Sequence, residues 1–86
     1  MTTIWKYDVD LTRGLLLIPE HSRILSFQIQ NGHRCVWAAV NTEARLVSRR
    51  IVIYGTGHEL PDDPGVYIGS AQQGPFVWHA FDEGDK

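Results

Sequence analysis

The dipeptide Asn31-Gly32 sits between two apolar-alternating runs, 23–30 and 33–40. A two-residue type I′ turn needs such a pair, because both of its central residues take positive φ. A two-residue connection fixes the register, and the register fixes the faces. It predicts Leu25, Phe27, Ile29, Val36, Ala38 and Val40 on one side, with Arg34 near the turn. Ile24, Ser26, Gln28, Gln30, His33, Cys35, Trp37 and Ala39 fall on the other. The first side is a core face. The second is mixed, with Trp37 and Cys35 among polar groups.

The rest of the chain keeps the same period. Residues 45–54 read as a long strand, with Val47, Ile51 and Ile53 opposite Ser48, Arg50, Val52 and Tyr54. Gly55-Thr56-Gly57 ends it, and the proline-rich segment 60–65 reads as a loop. A second hairpin is predicted from 66–70 and 75–81, connected through 71–74. In its second strand Phe76, Trp78 and Ala80 share one face, and Val77, His79 and Phe81 the other. Segments 4–9 and 15–18 add two more strands. The expectation is an all-β fold, a small antiparallel sandwich or partly open barrel of six to seven short strands. It is a single β domain over 1–82, followed by a frayed acidic tail at 83–86. A helical turn near 41–46 competes, because Asn41-Thr42-Glu43 has the makings of a helix cap.

Composition narrows the function classes. A chain of 86 residues makes one small domain, with little interior and marginal stability unless it oligomerises. Apolar side chains on both faces of the strands holding Trp37 and Trp78 favour a homo-oligomer. The net charge of −2 argues against a nucleic-acid coat, although Lys6, Arg45, Arg49, Arg50 and Tyr54 supply the residue types for one. Basic residues concentrate in 34–57 and acidic ones in 58–86, as two solvated faces or as a surface that pairs between copies. One cysteine cannot make an internal disulfide. No apolar run is long enough for a membrane span, and the N-terminus lacks a signal-peptide layout, so no membrane association is expected.

His21, His33, His58 and His79 show no metal-binding spacing, and His58-Glu59 with Asp62 and Asp63 reads as an ordinary turn-rich loop. No metal and no cofactor are expected. Cys35 lies mid-strand, away from any helix N-terminus that would activate a thiol, and reads as a small buried hydrophobe. Gly55-Thr56-Gly57 lacks the helix that follows a nucleotide-binding glycine loop. It keeps backbone donors that suit an anion or a polar ligand. No catalytic residue is assigned.

Several segments carry a likeness to a family. They are Ile4-Trp5-Lys6-Tyr7, Ile24-Leu25-Ser26, Tyr54-Gly55-Thr56-Gly57-His58, Tyr67-Ile68-Gly69-Ser70 and Gly74-Pro75-Phe76-Val77-Trp78-His79. In this order they resemble small proteins of tailed bacteriophages and prophages, a family of unknown function about this long. The resemblance implies a phage origin and a place in the cytoplasm of the bacterial host. It supplies no activity and no site. With the residues above, it leads to a non-enzymatic accessory protein that binds a host protein or sequesters a small molecule, as in counter-defence. A minor structural or decoration component of the virion is the alternative. The expected binding surface comprises Tyr54, Thr56, Gly57, His58, Trp78 and His79.

Overall fold

A computed structural model of the chain describes residues 1–85, except for the side chain of Asp85. Seven strands follow one another: β1 (Thr2–Asp8), β2 (Leu15–Pro19), β3 (Arg23–Gln30), β4 (His33–Asn41), β5 (Leu46–Gly55), β6 (Val66–Gln73) and β7 (Phe76–Asp85). They form two antiparallel sheets, β1-β4-β3 and β2-β5-β7-β6, packed face to face. The fold is therefore a sandwich. Strand β3 lies beside β6 without joining it in a ladder, so the sheets do not close into a barrel.

The Asn31-Gly32 turn forms as its residues dictate, with φ of 50° and 79° and Gln30 opposite His33. The predicted faces hold from the turn to the Ser26–Trp37 pair. A bulge between Ile24 and Ser26 then shifts the register, and Ile24 comes to lie opposite Ala38. Ile24 packs on the core, while Leu25 is exposed, so their predicted faces are exchanged. One inserted residue reverses every later side chain on a strand.

Segment 41–46 contains no helix. The Ala44 amide donates to the Asn41 carbonyl at 3.1 Å, and the Asn41 side chain accepts from the Glu43 amide at 3.1 Å. Asparagine here closes a β-turn, because β4 and β5 enter different sheets and need only a short corner. The second hairpin is tighter than expected: β6 runs on to Gln73, and only Gly74-Pro75 separate it from β7. The expected fraying of 83–86 is corrected as far as 85. Gly84 lies opposite Arg50 and Asp85 opposite Arg49, so β7 continues to Asp85. Lys86 lies outside the described residues.

The core is the single layer of side chains between the sheets. Val9, Leu16, Phe27, Val36, Ile51 and Ala80 form one cluster, and Ile18, Ala38 and Val40 a smaller one. The basic stretch seen in the sequence finds several of its partners inside the chain. Arg49 pairs with Asp82, with both side chains mostly buried, Arg50 reaches Glu83 at 3.6 Å, and Arg45 reaches Glu20 at 2.9 Å. These pairs occupy three of the arginines that a nucleic-acid face would have used.

Candidate functional site

The outer face of the four-stranded sheet carries a chain of hydrogen bonds across three structural elements. The Tyr67 hydroxyl lies 2.7 Å from Ser70 Oγ, and Ser70 Oγ lies 2.7 Å from His79 Nδ1. His79 Nε2 lies 2.8 Å from Thr56 Oγ1, which also faces the Val77 carbonyl at 3.4 Å. One proton order satisfies every contact. Tyr67 donates to Ser70, Ser70 to Nδ1 of His79, Nε2–H to Thr56, and Thr56 to the Val77 carbonyl. The pairing of the strands makes this chain possible. His79 on β7 stands between Tyr54 on β5 and Ser70 on β6.

Tyr67 joins the same face through a second bulge. The register of β6 against β7 shifts between Tyr67 and Gly69, which places Tyr67 opposite Phe81. The Phe81 ring then meets Tyr54 edge-on at 5.7 Å and Tyr67 at a tilt at 5.5 Å. Above them, the segment after β5 folds back. The Thr56 amide donates to the Val77 carbonyl at 3.1 Å, and the His58 amide to the Gly55 carbonyl at 3.0 Å. The Gly55 amide donates to His58 Nδ1 at 3.1 Å. A Cβ at position 55 would stand 2.8 Å from Cε1 of His58, so the imidazole lies where only glycine leaves room. Together these groups line an open depression of about 360 Å³, whose other walls are Gly57 and Leu60.

Five of the six expected residues meet here: Tyr54, Thr56, Gly57, His58 and His79. Trp78 does not. Neighbouring residues on a strand point to opposite faces, so Trp78 turns inward where His79 turns outward. Its ring packs on the core and stacks on Phe76 at 5.5 Å, with the Arg34 guanidinium 5.8 Å from its centre. Tyr67, Ser70, Phe81, Leu60 and Gly55 complete the depression and were missed. Alternation along β7 gives Phe81 the face of His79, which was signal enough for that residue. Tyr67 and Ser70 depend on strand order and a bulge, which the sequence does not display.

The remaining candidates are placed plainly. Cys35 is fully buried, and its Sγ donates to Asp8 Oδ1 at 3.3 Å. Burial, and then the Asp8 carboxylate, push its thiol pKa up. A thiol pushed up in this way carries less thiolate at neutral pH than a free cysteine. Among the described residues no three His, Cys, Asp or Glu side chains converge as metal ligands, and no helix is long and apolar enough to cross a membrane.

Comparison with known families gives one match, a domain of unknown function (DUF7352), over residues 1–86. The chain belongs to the DUF7352 family. No curated protein and no solved structure matches it. For this member of DUF7352, functional inference rests on the site itself.

Proposed function

We propose that this DUF7352 protein is a non-enzymatic binding module of a tailed bacteriophage. It acts in the cytoplasm of the infected bacterium by capturing a small molecule in the depression on its four-stranded sheet. The observation that carries this reading is the preorganised lining. Aromatic side chains form one wall, and the Tyr67–Ser70–His79–Thr56 chain fixes its polar groups in place. A hollow of about 360 Å³ falls in the range that accommodates small ligands. Both ring nitrogens of His79 are engaged by hydroxyls, and among the described residues no carboxylate orients it, which suits recognition better than general-base work. The phage setting rests on the likeness of the Tyr54–His58 and Gly74–His79 segments to phage proteins.

Native mass spectrometry of protein purified from a bacterial host, beside the denatured sample, tests the reading. The expected result is extra mass retained on the native protein and lost in the Thr56→Val, His58→Ala, His79→Ala triple variant. A triple variant whose every binding activity equals that of the parent would overturn it. Recovery of the protein in purified phage particles would favour a virion component instead.

A further inference from the structure

We propose that the depression takes an uncharged planar heteroaromatic ring that accepts a hydrogen bond from His58. This rests on the reading of that hollow as a binding site and adds the chemistry of the occupant. The lining holds aromatic, imidazole and hydroxyl groups together with glycine and leucine, and among the described residues it contains no Asp, Glu, Lys or Arg. An anionic ligand would give up part of its water there without a cation to meet it. The flanking loop opposes an anion further, because Glu59, Asp62 and Asp63 are all exposed on it. The basic side chains nearest in the sequence, Arg49 and Arg50, are already paired with Asp82 and Glu83.

The aromatic wall selects shape. Tyr54 and Tyr67 both lean on Phe81, at interplanar angles of 75° and 60°, so the three rings brace one another as a fixed apolar surface. Flat rings pack on such a surface in offset or edge-on contact. The donor selects the ring edge. Nδ1 of His58 accepts from the Gly55 amide, so it must carry a lone pair, and the proton of the neutral imidazole sits on Nε2. Among the described residues Nε2 has no protein partner. His79 offers no competing donor, because both of its nitrogens are engaged within the chain of hydroxyls. The matching ligand therefore presents a ring nitrogen or ring carbonyl towards His58.

NMR titration of the full chain, following the imidazole and aromatic-ring signals, tests this with five probes. Adenine, uracil and quinoxaline are uncharged rings with acceptors; adenosine monophosphate and inorganic phosphate are anions. The expected result is that at least one uncharged ring moves the His58 and Phe81 signals and binds more tightly than either anion. His58→Phe, which keeps a ring and removes the donor, should weaken that binding about tenfold, the worth of one hydrogen bond. Gly55→Ala should weaken it as well, by displacing the His58 ring. Silence towards all three uncharged rings at millimolar concentration, or tighter binding of either anion, overturns the proposal. If native protein meanwhile carries mass that the triple variant loses, only the ligand class has failed. If the triple variant binds as the parent does, the binding-site reading has failed with it.

Discussion

Two glycines with the same backbone sign carry different loads. Gly14 has φ of 67°, and a Cβ there would stand 2.0 Å from the Ile51 carbonyl oxygen, while its own carbonyl accepts from the Ile51 amide at 2.8 Å. Gly74 has φ of 57°, with open space around the same position. Gly74→Ala should cost about 1–2 kcal/mol, the backbone term alone. Gly14→Ala adds a clash with the backbone of the central strand and should cost more than about 4 kcal/mol. Urea denaturation of the two variants beside the parent checks the contrast. Asp10 shows residue-scale electrostatics. Its carboxylate accepts from the amides of Arg13 at 2.7 Å and Thr12 at 2.8 Å, which hold its pKa below the ordinary value of 3.8. A carboxyl depressed in the folded state contributes stability above its unfolded pKa, and that contribution is lost as pH falls through the folded value. Asp10→Asn should therefore flatten the loss of stability below about pH 4, measured as denaturation midpoint against pH.

At the scale of elements, one side chain ties the two hairpins together. Gln73, at the end of β6, donates to the Gly32 carbonyl in the β3–β4 turn at 2.8 Å. Its oxygen accepts from Arg34 Nη1 at 3.2 Å and from Trp78 Nε1 at 2.9 Å. The two sheets are thus pinned at their turn ends by a residue that the sequence places in an ordinary polar loop. Among the described residues Arg34 Nε is buried without a hydrogen-bond partner, so the site has no slack for further lost bonds. Gln73→Leu should destabilise the fold by about 2–3 kcal/mol, seen as a lower urea midpoint with an unchanged slope. Gln73→Glu keeps the acceptor for Arg34 and Trp78 and should cost less.

The whole molecule measures 39 × 30 × 18 Å, so two layers enclose one thin core and both outer faces carry apolar groups. On the three-stranded sheet the outer face exposes Ile4 and Leu25 beside Trp37, Ser26, Gln28 and Gln30, around an open hollow of about 390 Å³. A two-fold contact sets a patch against its own copy; here it would pack Ile4 and Leu25 on their counterparts and bring Lys6, across from Trp37 and held to Gln30 at 2.8 Å, onto the same face. The homo-oligomer expected from the sequence would, as a dimer through this face, leave the hollow on the other sheet free. Sedimentation velocity should show the dimer, and Trp37→Glu should shift the distribution to monomer by placing like charges opposite each other. A monomeric parent at micromolar concentration would refute the dimer.

Much of the architecture was legible because local chemistry dictates it. Asn31-Gly32 has the dihedral freedom of one turn type, and period-two alternation assigns inside and outside along each strand. The same alternation put His79 and Phe81 on one face and Trp78 on the other. It also placed Tyr54 through His58 at a strand end, although the amides of Gly55, Thr56 and His58, which looked like free donors, are engaged inside the chain. Three things escaped it, all relations between distant segments. Strand order brought Ser70 and Tyr54 to either side of His79. The bulges at Leu25 and Ile68 reversed local faces, because an extra residue is visible only against its partner strand. Pairing of Arg49 with Asp82 and of Arg50 with Glu83 took part of a charge segregation that looked like a surface property into the chain itself. The sequence by itself determined which residues alternate and turn, since those preferences reside in single residues and their neighbours. Only the tertiary structure decided which alternations meet, because register and strand order are set by packing across the whole core.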